Sequence, residues 1–349
     1  MRNSLMQIFW RLFYSRLRPP PADLTPGYSV LLLVPGDLPV FRRIAMDVCA
    51  KQDQTHLEEL LVIPDQVSPA LEAQWDSIER DWPGKSIRLV RFNAVDRWLV
   101  NQAKNPHVSV WLQMVRGIEA ARTTHAIWHD ADLFITDPNM MRQLYEHAAA
   151  NNMACWGIDP QSPIFMDWFH SRGIKHIVAS YEMMMDVKWF RSFKPWEHRR
   201  SVTVNGETHG GDITYYSQVN SPPERFGWKR RPDDFVHFSY VISTYRWFQQ
   251  ALARGDSFPD KRFTVLLARL LIDAYDHSDW PYEVPHLDVI ARGINDPSQP
   301  VTFMDEENTQ RYPEFRQIFD NLLNCDLLDE HQKAPLREGI KPFDAAFER

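Results

Sequence analysis

Ser29-Val30-Leu31-Leu32-Leu33-Val34 is apolar from its second residue to its last and is closed at once by Pro35-Gly36-Asp37. A run this short cannot span a bilayer, and it lacks the alternation of a half-exposed strand. It predicts a β-strand buried on both faces. Leu60-Leu61-Val62-Ile63, closed by Pro64-Asp65, repeats the pattern. Helical spacing falls between such runs. Phe41 to Lys51 places Phe41, Ile44, Ala45 and Val48 on one side, and Leu71 to Asp81 predicts a second helix. Ile87 to Phe92 alternates as a third strand, and Val108 to Ala121 brings Val110, Met114, Ile118 and Ala121 into register. A fourth strand opens at Ile127. Pro138 to Ala150 predicts a helix with Asp137 as N-cap and proline at its first position, and Met153 to Ile158 predicts another strand. Strand and helix in alternation fold as an α/β protein with an open, mostly parallel sheet flanked by helices.

In such sheets ligands bind beyond the carboxyl ends of the strands. Asp37, Asp65, Asn93 and the pair Asp130 and Asp132 all fall at such ends. Asp and Asn are also common turn formers, which alone accounts for Asp37 and Asn93. The pair is different. It stands in His125-Ala126-Ile127-Trp128-His129-Asp130-Ala131-Asp132-Leu133-Phe134-Ile135, with apolar residues leading in and out. Two carboxylates in an apolar setting repel each other and lose hydration, and a divalent cation resolves both costs. Oxygen donors of this kind suit Mg2+ or Mn2+.

Composition narrows the class. The chain has 349 residues, 44% hydrophobic and 24% charged, enough for one large domain or two ordinary ones. A formal charge of -7 without a long Lys/Arg block argues against a protein that holds nucleic acid by its phosphates. Cys49, Cys155 and Cys325 are too far apart for a zinc spacing or a disulfide framework, so a reducing, cytoplasmic setting is expected.

Residues 1–21 stand apart. Leu5, Ile8, Phe9, Leu12 and Phe13 share one helical face, Arg2, Arg11, Arg16 and Arg18 are the only charges to residue 18, and Pro19-Pro20-Pro21 stops any helix. The segment is too short to span a membrane, and Arg11 interrupts it as a secretory signal. Two readings stay open: docking on protein, or peripheral contact of residues 1–18 with the inner face of an anionic membrane.

Gly117-Ile118-Glu119-Ala120-Ala121 followed by Thr124 to Asp132 resembles the helix, strand and Asp-x-Asp segment of nucleotide-sugar glycosyltransferases with the GT-A fold, of the family-2 kind. The resemblance covers about residues 28 to 159. It implies a GT-A catalytic domain over 28–255, with a donor-binding half at 28–159 and an acceptor side at 160–255; helical spacing beyond it predicts a helical extension over 256–349. It implies a UDP- or GDP-sugar donor, a saccharide or lipid-linked acceptor in surface glycan or glycolipid synthesis, and Mn2+ or Mg2+ at the diphosphate. In that family the last Asp of the motif binds metal and the first reaches ribose or metal, roles that fall to Asp132 and Asp130. Asp65 matches the position that recognises the donor base, with Asp37 and Asn93 on the same rim.

A third metal ligand in the family is often a downstream His. His237, in Asp234-Phe235-Val236-His237-Phe238, is the candidate, against a histidine satisfied within a core strand. An inverting reaction needs a base. Asp212, after Gly210-Gly211, and Asp159, after the strand that follows the motif, are candidates, with Glu182 behind them. Asp212 serves equally as the N-cap of a helix over Ile213 to Gln218. Trp168, Trp189, Trp196 and Trp228 fall on the acceptor side, as sugar platforms or as core. Helices are expected from Pro259 and over Pro313 to Asn324. Two rival functions remain: a haloacid-dehalogenase-like phosphatase with Asp130 as nucleophile, and a non-catalytic carbohydrate-binding protein.

Overall fold

The computed structural model describes residues 2–19, 23–103, 105–158, 163–210, 212–231, 233–276 and 278–347. The chain forms two compact units. The first comprises Met1–Gly36, Cys49–Asp130 and Asp137–Pro232; the second gathers Asp37–Val48, Ala131–Thr136 and Asp233–Arg349.

The first unit is built on a seven-stranded, mostly parallel sheet. In chain order its strands are β1 (Thr25–Val34), β2 (Leu57–Pro64), β3 (Ile87–Leu89), β4 (Thr123–Asp130), β6 (Cys155–Ile158), β7 (Met183–Asp186) and β10 (Phe226–Lys229). Their spatial order is β10-β6-β7-β4-β1-β2-β3, and only β7 runs against its neighbours β4 and β6. A separate ribbon pairs β8 (Val202–Val204) with β9 (Glu207–His209).

The apolar runs behave as expected: every residue of β1 from Tyr28 to Val34 is buried. Alternate side chains serve opposite faces. Leu31 and Leu33 join Trp111, Leu112, Val115 and Ile118 of helix α5 (Pro106–Ala120) in one core. On the other face Tyr28 meets Tyr145 of helix α6 (Met140–Ala150), ring centroids 5.6 Å apart. Gly117 lets α5 lie close to the sheet, because a Cβ there would stand 2.6 Å from Ile63 Cδ1. Helix α1 (Arg2–Phe13), α3 (Pro69–Asp81), capped by Ser68, α4 (Ala94–Ala103), α7 (Pro163–His170), α8 (Val187–Arg191) and α9 (Tyr215–Val219) complete the unit.

The second unit holds most of helix α2 (Pro39–Ala50), the antiparallel pair β5 (Leu133–Ile135) and β11 (Phe235–His237), the short pair β12 (Phe258–Pro259) and β13 (Val301–Thr302), and helices α10 (Val241–Arg254), α11 (Thr264–Tyr275), α12 (Leu287–Arg292), α13 (Glu306–Asn324) and α14 (Glu330–Phe347). Its core is aromatic: Phe263 stacks on Phe303 and Phe315, with Tyr312 against its edge. The wide apolar surface of α11 is buried almost all round.

Several boundaries differ from those expected. β3 stops at Leu89, at the edge of the sheet, where only β2 pairs with it. α4 was not anticipated, yet Asn93-x-x-Asp96 is a capping box: Asn93 Oδ1 accepts the Asp96 amide and Asp96 Oδ2 accepts the Asn93 amide, both at 2.9 Å. α6 begins at Met140 rather than Pro138, because Asp137 spends its carboxylate on the Asn139 amide, 2.8 Å away, closing a turn before the helix. α9 begins at Tyr215, after Thr214 takes a left-handed φ of 77°. Phe258–Pro259 is strand, and the helix expected from Pro259 starts at Thr264, where Asp260 accepts the Thr264 and Val265 amides. α13 begins at Glu306, capped by Asp305, and carries Pro313 inside it.

Candidate metal centre

β1 and β4 are neighbours, but from β1 the chain builds outward to β2 and β3, and from β4 the sheet continues through β7. The strand order therefore reverses between β1 and β4, the kind of switch point at which open α/β sheets bind ligands beyond the carboxyl ends of their strands. Asp130 is the last residue of β4, in register with Leu33. Its Oδ1 accepts the indole N–H of Trp128 at 2.6 Å. The two residues lie on the same side of the strand by its two-residue period, so the Trp128 indole holds the carboxylate.

Beyond Asp130 the chain turns through Ala131 and Asp132 into β5. β5 is Leu133-Phe134-Ile135, and its antiparallel partner β11 sets His237 opposite Leu133. This pairing brings a histidine far down the chain next to the second aspartate. His237 Nε2 lies 3.7 Å from Asp132 Oδ1, an ion-pair distance rather than a hydrogen bond. Both residues are buried, 7% and 4% exposed, so neither is a surface charge met by chance. The other ring nitrogen, Nδ1, lies 3.4 Å from Ser239 Oγ, the arrangement by which a neighbour fixes the ring of a metal-binding histidine.

Asp132 has one more partner. The Val241 amide, first residue of α10, donates to its Oδ2 at 3.1 Å. A helix N-terminus carries partial positive charge, so α10 favours the carboxylate form. Burial pushes the Asp132 carboxyl up, but the His237 imidazole and the Val241 amide outweigh it, and the group ionises below the usual carboxylate range. Asp130, Asp132 and His237 each offer one ligand atom, and these atoms all lie within 4.8 Å of one another. Two carboxylates and an imidazole are hard-to-borderline donors that fit Mn2+ or Mg2+, and no thiolate stands among them to favour a softer ion.

The other expected residues are placed as follows. Asp65 ends up buried just past β2, its Oδ1 accepting the Gly36 amide at 2.9 Å. Gln113 of α5 was missed by the sequence reading. Its Nε2 donates to the Val34 and Ile63 carbonyls, at 3.0 and 2.5 Å, and so ties the ends of β1 and β2. The signal was a polar residue on the apolar face of α5. Asn93 caps α4. Asp37 takes both terminal nitrogens of Arg246, at 2.5 and 2.8 Å, and the Gln249 amide. Asp212 accepts the Ser180 hydroxyl and, at 2.7 Å, the Ile213 amide. Asp159 and Gly211 lie outside the described residues. Glu182 is fully buried with its Oε2 2.6 Å from His129 Nδ1, so it faces the interior. Trp189 is core, Trp168 is packed against Phe169 under Arg172, and Trp196 carries Arg11 and Arg200.

Just past β1, Gly36 lies against the loop after β2: a Cβ would lie 1.8 Å from the Gln66 carbonyl oxygen. Gly36→Ala is expected to cost about 1–3 kcal/mol through forced backbone displacement. A urea unfolding midpoint compared with that of the parent chain measures it.

No family model matches the chain, and no curated protein matches it. Among solved structures, it is similar to 4-diphosphocytidyl-2C-methyl-D-erythritol synthase from Anaerococcus prevotii, with 11% identity over 64% of this chain and 96% of that one, at a TM-score of 0.38. It is also similar to S. aureus TarS 1-349, with 9% identity over 93% of this chain and 92% of that one, at 0.38. The same TarS segment in complex with UDP-GlcNAc matches with 10% identity over 91% of this chain and 73% of that one, at 0.36. Likeness at these scores carries no conclusion about chemistry.

Proposed function

We propose that the chain is a metal-dependent glycosyltransferase of the GT-A kind, moving a sugar from a nucleoside-diphosphate donor to a hydroxyl acceptor. The observation that carries this reading is the donor set of Asp130, Asp132 and His237 following the β4 end of a mostly parallel sheet. As the glycosidic bond breaks, negative charge grows on the diphosphate oxygens. A bound Mn2+ or Mg2+ supplies the opposing charge.

The chain's own residues prepare that event. Asp132 and His237 would hold the ion, with Val241 and Ser239 fixing their orientation. Trp128 would aim Asp130 at the ion or at the donor ribose. Asp65, whose carboxylate is already steadied by Gly36, would meet the donor base. Asp212 is the base candidate within the described residues for an inverting transfer; Ser180 and Ile213 each occupy one of its oxygens and leave each oxygen a lone pair for a proton. Residues 28–159 then form the donor-binding half, and the acceptor is a saccharide or a lipid-linked sugar.

The test is a thermal-shift screen of UDP- and GDP-sugars with and without Mn2+. A ligand that binds only the folded state stabilises it by mass action, by about 2.7 kcal/mol at a hundredfold excess over Kd, and so raises the melting temperature. A shift that needs both donor and metal is expected, and chelation should remove it. No shift with any donor, metal present, would overturn the reading and leave phosphatase or carbohydrate-binding activity to be assayed.

A further inference from the structure

Helix α1 has two apolar faces, and the protein uses one of them. Trp10 and Tyr14 turn inward. Their rings lie 6.3 and 4.9 Å from that of Trp111, and the Tyr14 hydroxyl donates to Asp96 at 2.5 Å. Arg199 lies over both Trp10 and Trp111, at 4.6 and 5.2 Å, so this guanidinium is spent inside the fold. Past the helix, the Arg18 carbonyl accepts from Arg191 at 2.8 Å and the Arg18 amide donates to Glu119 at 3.0 Å. The segment is therefore fastened along its inner face and again beyond its end.

The outer face carries Ile8, Phe9, Leu12 and Phe13, which are 53%, 39%, 68% and 52% exposed. Docking accounts for none of them. A helix that only had to dock would carry polar residues there. The patch also extends beyond the helix: the Phe9 and Phe13 rings stack at 5.7 Å, and Phe9 meets Trp98 of α4, itself 43% exposed, at 5.5 Å. Of nine exposed large apolar side chains among the described residues, five are in this one patch. Contiguous exposed apolar surface of that kind marks a contact with something else.

Charge selects the occupant. The chain carries -7 overall, yet its first eighteen residues hold four arginines and no acid. Arg16 is exposed, the Arg18 side chain is 73% exposed, and exposed Arg97 adjoins Trp98 on α4. A second copy meeting this face across a two-fold axis would bring like charges together, which disfavours the pairing. An anionic lipid surface has the opposite sign and also takes up apolar side chains. Apolar side chains and cations together are the two signals that hold a peripheral protein. Among the described residues no helix is long and apolar enough to cross a membrane.

We propose that Ile8, Phe9, Leu12, Phe13 and Trp98 form an insertion patch that seats the first unit on an anionic membrane, with α1 lying in the headgroup layer and Arg16, Arg18 and Arg97 against the lipid phosphates. The proposal stands independently of the transferase reading.

Co-sedimentation of the full chain with phosphatidylcholine vesicles, with and without phosphatidylglycerol, tests it. Binding is expected to favour the anionic vesicles and to weaken with salt. Each arginine near such a surface is worth roughly a fivefold change in partitioning, so Arg16→Gln with Arg18→Gln should weaken binding by more than about tenfold. Phe9→Ser, Leu12→Ser and Phe13→Ser together should abolish it. The side chains are exposed, so the melting temperature should hold; Leu12→Ser alone, the mildest change, gives the same direction if the triple variant unfolds. No binding to anionic vesicles at low salt would overturn the proposal, as would undiminished binding by the folded variants. A parent chain that is dimeric by light scattering, with monomeric variants, would assign the patch to a second copy instead.

Discussion

Asp132→Asn is expected to lower sugar transfer by roughly three orders of magnitude, because it removes one charge from the ion's ligand set without disturbing the fold around it. The asparagine oxygen can still accept the Val241 amide that now reaches Asp132 Oδ2 at 3.1 Å. Because His237 and the Val241 amide hold the Asp132 carboxyl below the usual range, its charge stabilises the folded state, and the substitution should cost a modest part of the stability at neutral pH. What is lost is anionic character beside His237. The metal-dependent thermal shift from the donor should fall away with the rate. A variant with near-normal turnover would remove Asp132 from the mechanism, and one that is unfolded at the assay temperature would show the residue to be structural.

Asp96→Ala should be among the most destabilising single changes in the first unit, at about 3–5 kcal/mol, because it strands partners that cannot reach water easily. Asp96 is fully buried. Its two oxygens take Arg116 Nε and Nη2, both at 2.8 Å, the Tyr14 hydroxyl and the Asn93 amide. Removal leaves a guanidinium whose other anion is Glu119, a buried phenol without its acceptor and an Asn93 amide without the reciprocal half of the capping box. Asp96→Asn keeps an acceptor but loses the charge and should cost less. Denaturant unfolding followed by circular dichroism gives both values. Equal, small losses would mean that Arg116 and Tyr14 find other partners on relaxation. The same substitution loosens α1, so Tyr14 links the unit's stability to the segment that carries the exposed patch.

The sheet was legible because its signal is local. Leu31-Leu32-Leu33 and Leu61-Val62-Ile63 are apolar on both faces, a pattern that only a covered strand satisfies, and the helices between them showed their own period. Helix ends were less legible. Proline at 138 and 313 reads as a start, but Asp137 closed a turn of its own, and Asp305 began a helix that admits Pro313. Asp, Asn and Ser make several local hydrogen bonds of similar energy, and the neighbours decide which one forms.

The paired aspartates were visible in the sequence for the same local reason: two carboxylates between apolar runs need an explanation wherever they fold. Their company was visible only in part. The family resemblance singled out His237 from thirteen histidines, and the antiparallel pairing of β11 with β5 is what sets it 3.7 Å from Asp132. Trp128 and Gln113 drew no notice in the sequence; the strand period and the close approach of α5 aim their N–H groups at Asp130 and at the ends of β1 and β2. The four rim residues divide in the same way. Asp37 is bound to Arg246 and Asn93 to its own helix, while Asp65 and Asp130 stay at strand ends with short, directed contacts. Periodicity and charge act between near neighbours in the chain, so the sequence by itself determined the strands, the sheet type and the presence of a charged pair. Which distant groups meet that pair depends on strand pairing across loops of many residues, and only the tertiary structure decided it.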